Sequence, residues 1–313
     1  MDRWFADIKD MLLNRRVHLI TGKGGVGKSV ISISLAVTLR SRAKKVLFAQ
    51  MSPIEVNADA SDELFYKLRS SLPRIDYIYI EPKSALEEYA TMVLRFKRLY
   101  KLIFEDKMVR SSLRAMPSLS FLLLIGKLWY YCTLKDKNND FLYDYVVVDA
   151  PSTGMAISML NLPRIINDAA PSGPLRDRAI DIENMLTDRD ATAVHIATTC
   201  EETPVNEALE IYRTLSERLS IQFGVLFVNQ FEDMPDEDAE YVKSKINLIP
   251  EHMRNCIRRK LIDISLRKQE YIRLVSNIEE KDRRIITCPV VENNFDVLNV
   301  IENISTHLRR YCE

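Results

Sequence analysis

Glycine is scarce in this chain: there are eight in 313 residues, and four of them fall within residues 22–27. That distribution excludes glycine-rich linkers and marks one loop where the backbone needs unusual freedom. Cysteine is also sparse. The five thiols (Cys132, Cys200, Cys256, Cys288 and Cys312) are odd in number, widely spaced and form no C-x-x-C pair. This pattern argues against a disulfide framework and a zinc site, and for reduced thiols in the cytoplasm. Net charge is missing altogether, because Lys+Arg and Asp+Glu number 44 each. No overall field therefore draws the chain to nucleic acid or to an anionic membrane. Apolar runs such as residues 121–125, FLLLI, fall far short of a membrane span. The first sixteen residues, MDRWFADIKDMLLNRR, alternate in charge and show no signal-peptide core. No internal repeat is visible, so a second copy of any site would have to come from another chain.

The four clustered glycines lie in residues 22–29, GKGGVGKS, directly after the apolar run 17–21. The stretch fits the phosphate-loop pattern G-x-x-x-x-G-K-[ST] through Gly22, Gly27, Lys28 and Ser29. Glycine lets consecutive backbone N–H groups turn toward phosphate oxygens, and the helix that follows adds the positive end of its dipole. Lys28 is expected to reach the β- and γ-phosphates, and the Ser29 hydroxyl to ligate Mg²⁺. The expected ATP-binding set is Gly22, Lys23, Gly24, Gly25, Val26, Gly27, Lys28 and Ser29, joined by Asn229 at the end of a later strand. An Asn amide there can read the adenine edge by donating and accepting; the competing reading is a strand-end turn cap.

Beyond the loop, β-rich runs occur at residues 45–50, 76–80, 145–149, 193–198, 223–228 and 284–287. Several are continuous apolar stretches of the kind buried on both faces of a parallel sheet. Helical stretches separate them, and a closing helix is expected through residues 297–308. Strand–helix alternation predicts an α/β, doubly wound, mostly parallel sheet with nucleotide at its carboxyl edge. The chain reads as a single domain over 1–313 with a helical insertion at 84–134. That insertion carries Met92, Met108 and Met116 among many apolar residues. It forms either a groove for an apolar client or effector, or a helical layer packed on the sheet. His195 lies inside a strand run and reads as a core or site-wall residue. The charged runs 258–260 and 279–284 read as solvated helix faces.

Lys23, a second lysine at the start of the loop, makes the stretch resemble the deviant phosphate-loop ATPases. These include the nitrogenase-iron-protein, cell-division-positioning, plasmid-partition and anion-pump/tail-anchored-protein-targeting families. The order KGGVGKS, VVVDAPSTG, ETPVNEALE and GVLFVNQ resembles the arsenite-pump and tail-anchored-protein-targeting ATPase family. PSLSFLLLIGKLWY and PSGPLRDRA are similar to its bacterial branch. The resemblance implies Mg²⁺ and ATP as cofactors, with Lys23 and Lys28 as the catalytic pair. Lys23 would reach the nucleotide of a dimer partner, and Asp149 would join Ser29 at the metal. It also implies a cytoplasmic homodimer or heterodimer that opens and closes with nucleotide around an unknown client, an apolar protein segment or a metabolite. Neither nucleic acid nor stable membrane anchoring is expected.

Three positions depart from that family. Ser52 stands where the family's second-strand switch carries an aspartate that orients the attacking water. Losing such a group typically costs about 10²–10⁴-fold in rate. Slow or partner-dependent hydrolysis is therefore expected, unless Glu55 or Asp59 substitutes. Met155 replaces a frequent histidine, and the absent C-x-x-C removes the basis for a zinc-clasped homodimer. A second reading follows: a non-hydrolysing regulatory or structural subunit that pairs with an active paralogue.

Overall fold

The computed structural model describes residues 3–42, 45–53, 75–86, 117–291 and 296–313. Among them are helices α1 (Arg3–Leu13), α2 (Lys28–Arg40), α3 (Pro117–Thr133), α4 (Thr153–Ala169), α5 (Pro174–Thr187), α6 (Glu202–Arg213), α7 (Asp236–Lys245), α8 (Glu251–Ser276) and α9 (Val297–Arg309). The strands are β1 (Val17–Gly22), β2 (Val46–Met51), β3 (Ile75–Ile80), β4 (Tyr145–Ser152), β5 (Thr192–Thr198), β6 (Phe223–Phe231) and β7 (Ile285–Pro289).

All seven strands join one sheet in the order β3-β2-β4-β1-β5-β6-β7, and every pairing is parallel. Each run predicted to be a strand is one. The central strands β1, β4 and β5 are buried along nearly their whole length, which explains their unbroken apolar sequences. Alternate residues feed two cores. Val146 and Val148 of β4 pack beneath α3, α4, α5 and α6, whereas Tyr145 and Val147 pack beneath α1, α2 and α9. Covering both faces with helices is what an all-parallel sheet demands, and it makes the fold α/β and doubly wound. Because β1 lies between β4 and β5, the chain winds outward from it in both directions. The carboxyl end of β1 is thus the switch point where open α/β sheets bind ligands.

Of the stretch 84–134, residues 87–116 and with them Met92, Met108 and Met116 lie outside the described residues. The described part, α3, lays Leu124, Ile125, Leu128 and Cys132 fully into the core. Among the described residues no helix is long and apolar enough to cross a membrane. All five cysteines are unpaired, and four of them are buried.

Between β1 and β5 lies a buried imidazole pair. His18 Nδ1 and His195 Nε2 are 3.0 Å apart with nearly parallel rings, and His195 Nδ1 accepts the Val225 N–H at 2.9 Å. Since His195 Nδ1 accepts, its proton must sit on Nε2 and be donated to His18 Nδ1; the His18 proton is then on Nε2. Both rings are neutral in that arrangement. His195 is therefore a core residue, one of the two roles its sequence suggests.

Candidate functional site

The loop predicted to bind phosphate begins where β1 ends. Gly22 has φ +152°, and a Cβ built on it would lie 2.0 Å from the Ala197 carbonyl oxygen on β5. Only glycine lets the chain leave β1 this close to its neighbour. At the far end Gly27 has φ +88°, and a Cβ there would meet Asn229 Nδ2 at 2.3 Å. That amide donates to the Val26 carbonyl oxygen at 2.9 Å. Asn229 of β6 thus holds the loop backbone, a contact that neither reading of its sequence position anticipated.

Gly24 and Gly25 are exposed at the loop's crown while Val26 is buried beneath it. Helix α2 starts at Lys28 with no side chain capping its N-terminus. Its first backbone N–H groups are therefore open to an anion. The Ser29 hydroxyl, on the first turn of α2, donates to Asp149 Oδ2 at 2.6 Å. Asp149 lies near the end of β4, in register with Ile20 of β1 and Gln50 of β2. Its other oxygen, Oδ1, is buried with no hydrogen-bond partner in the protein. Burial raises the Asp149 pKa, against the opposing pull of the Ser29 hydrogen bond and the nearby Lys28 charge. A carboxylate with an unused buried oxygen, beside a hydroxyl, suits a hard divalent cation whose remaining ligands are phosphate and water oxygens. These residues therefore fit Mg²⁺. Among the described residues no three His, Cys, Asp or Glu side chains gather elsewhere as a metal site.

Three sequence elements far apart in the chain meet here: the loop with Ser29 at its end, Asp149 and Asn229. The Thr21 hydroxyl adds a tie by donating to the Pro151 carbonyl oxygen at 2.8 Å, which links the end of β1 to the A-P-S-T-G turn. Thr153, the first residue of α4, has a buried hydroxyl without a partner. Lys23 sits differently from the other loop residues. Its ammonium pairs at 2.6 Å with Glu207 of α6 in the same chain, each side chain about a third exposed. Glu207 lies in the quoted motif ETPVNEALE, but no local spacing revealed that it would reach a residue 184 positions away.

Ser52 follows β2 directly, and its backbone N–H donates to the Ile80 carbonyl oxygen at 2.9 Å. This puts Ser52 at the carboxyl edge of the sheet, on the strand next to Asp149. Glu55 and Asp59 lie outside the described residues. Met155 packs against the core beneath α4.

Comparison with known proteins finds ATPases among the relatives. The family described as anion-transporting ATPase matches residues 15–170. The ATPase BagA of Mycobacterium tuberculosis is 30% identical over 222 residues, 69% of this chain and 65% of that protein. An ATPase ASNA1 homolog of Plasmodium vivax is 25% identical over 171 residues, 54% of this chain and 43% of that protein. An arsenical pump-driving ATPase of Escherichia coli is 26% identical over 157 residues, 49% of this chain and 26% of that protein. The chain spans less than two thirds of the length of each of these relatives. Its phosphate loop and its β4 acid both lie inside residues 15–170, the region that matches the anion-transporting ATPase family.

Proposed function

We propose that this chain binds Mg·ATP at the Gly22–Ser29 loop and hydrolyses it slowly, as a dimer whose opening and closing acts on a client. The observation that carries the reading is the Ser29–Asp149 pair with its unused buried oxygen, set against the open N-terminus of α2. Ser29 and Asp149 would hold Mg²⁺, and when bound the ion would offset charge on the phosphate oxygens. The loop N–H groups and Lys28 would hold the β- and γ-phosphates. Asn229 keeps Val26 in place and leaves its amide oxygen for the adenine amino edge. Five unpaired thiols suit a reducing compartment such as the cytoplasm. The client is an apolar protein segment or a metabolite, and residues 84–134 are the place proposed for it.

Ser52 favours slow turnover, and it equally favours a non-hydrolysing subunit paired with an active paralogue. A serine hydroxyl is not a carboxylate base near neutral pH. One experiment separates these readings. Calorimetry with Mg·ATP should show binding by the wild type that Lys28→Ala abolishes. Steady-state hydrolysis should be measurable but low, and Ser52→Asp should raise it by about ten- to a hundredfold. Binding without turnover, restored by Ser52→Asp, would select the regulatory subunit. No binding by the wild type would refute both.

In the family the loop's first lysine is expected to reach a partner's nucleotide, yet here Lys23 is held by Glu207 of its own chain. Dimer closure then has to break this pair. Glu207→Gln should strengthen ATP-dependent dimerisation by about two- to fivefold, the size of a partly exposed ion pair, as read by sedimentation velocity. Unchanged dimerisation would mean that Glu207 does not compete for Lys23.

A further inference from the structure

Far from the nucleotide loop in sequence, the end of α7, the turn after it and α8 border a groove of about 450 Å³ whose lining includes Lys243, Ile246, Arg258, Leu261, Ile262 and Leu266. The apolar side chains there are not tucked away. Ile262 is 60% and Leu266 56% exposed, one turn apart on α8, and Leu248, just beyond α7, is 80% exposed. No residue of α7 is buried, so this helix gains little from the core it lies beside. Exposed apolar side chains grouped along a concave surface mark an interaction site rather than ordinary surface.

We infer that the α7–α8 groove docks an amphipathic helix of a partner protein, with its apolar side chains seated between the helices and its acidic side chains meeting Lys243 and Arg258. Charge selects this occupant. Nearby Lys260 and Lys268 are matched by Glu232 and Asp236. Lys243 and Arg258 form no ion pair among the described residues. Lys243, which interacts with Asp236 only beyond ion-pair distance, and Arg258 flank an apolar trough and favour a helix with acidic edges, and helix-in-groove docking reads i, i+3/i+4 and i+7 anchors. A second copy fits worse, because groove against groove would oppose Lys243 and Arg258 with their own counterparts. An anionic membrane fits worse too. The trough is concave, a shape that a flat bilayer surface does not fill. The groove also has a mechanical route inward, since Arg267 and Arg273 of α8 contact Glu201 and Asn206 at the start of α6.

The test uses the full chain and a panel of fluorescent helical peptides. They share one apolar stripe and differ in flanking charge (acidic, neutral or basic), with scrambled controls. The acidic-edged helices should bind, Ile262→Glu should weaken them at least tenfold, and Arg258→Glu should shift preference to the basic-edged set. Both substitutions are at exposed positions, and circular dichroism confirms that the fold is kept. Failure of every peptide to bind, or equal binding by scrambled controls, would overturn the inference. So would wild-type self-association that Ile262→Glu abolishes, which would assign the groove to a second copy. Cosedimentation with phosphatidylserine vesicles lost in the same variant would assign it to a membrane and also overturn it.

Discussion

Gly22→Ala should destabilise the fold by roughly 2–5 kcal/mol. The estimate combines a strained positive-φ alanine with overpacking against a backbone atom. The atom concerned is the Ala197 carbonyl oxygen, 2.0 Å from where the new methyl would sit. A flexible side chain could move aside; a carbonyl inside a parallel sheet cannot move without shifting β5. Against a total stability of about 5–15 kcal/mol, this is enough to unfold a large fraction of the chain at modest urea concentration. Gly24→Ala is the matched control, since nothing lies within 4 Å of its Cβ position. Urea unfolding of both variants without nucleotide isolates the effect from any loss of binding. Similar midpoints for the two would show that β1 and β5 are not so close at this point.

The second large effect is a loss of stability in acid. His18 is fully buried, and burial, the principal cause, holds its pKa down to about 4; His195 is held well below its ordinary value by burial and then by His18. In the unfolded chain both would titrate near 6.5. Below that pH the unfolded state binds protons that the folded state refuses, so stability falls as pH drops. The contribution is fully present above about 6.5 and is lost progressively toward pH 4, amounting to about 3 kcal/mol for His18 alone. Denaturant unfolding at pH 7.5 and 4.5 measures the loss. The ring resonances give the direct check: those of the buried pair should not titrate between pH 7.5 and 5.5. Titration near 6.5 would mean that the rings reach solvent.

The sheet was legible in the sequence because parallel strands buried on both faces leave unbroken apolar runs such as residues 145–149 and 223–228. The loop was legible because its chemistry is local, eight consecutive residues with demanding backbone geometry. Lys28, Ser29 and Asp149 lie near one another because each sits near the end of a recognisable strand or at the start of a helix. What could not be read depends on contacts between elements. His195 could be assigned to a strand, but its bond to His18 follows from β1 and β5 being neighbours, which no local pattern encodes. The Lys23–Glu207 pair and the Asn229 tie to Val26 join residues 184 and 203 positions apart. The residues 258–260 read as a plain charged face; only the approach of Lys243 and Ile246 to α8 makes Arg258 the rim of a groove.

The phosphate loop is fastened at both ends to strands that come much later in the chain, at Gly22 against Ala197 of β5 and at Val26 through Asn229 of β6. A segment pinned this way has few conformations to surrender when an anion arrives, so little of the binding free energy is consumed in ordering it. The same anchorage runs in reverse. Whatever slides β5 along β1 would loosen the loop, so the face of the sheet that carries α6 becomes a handle on nucleotide release.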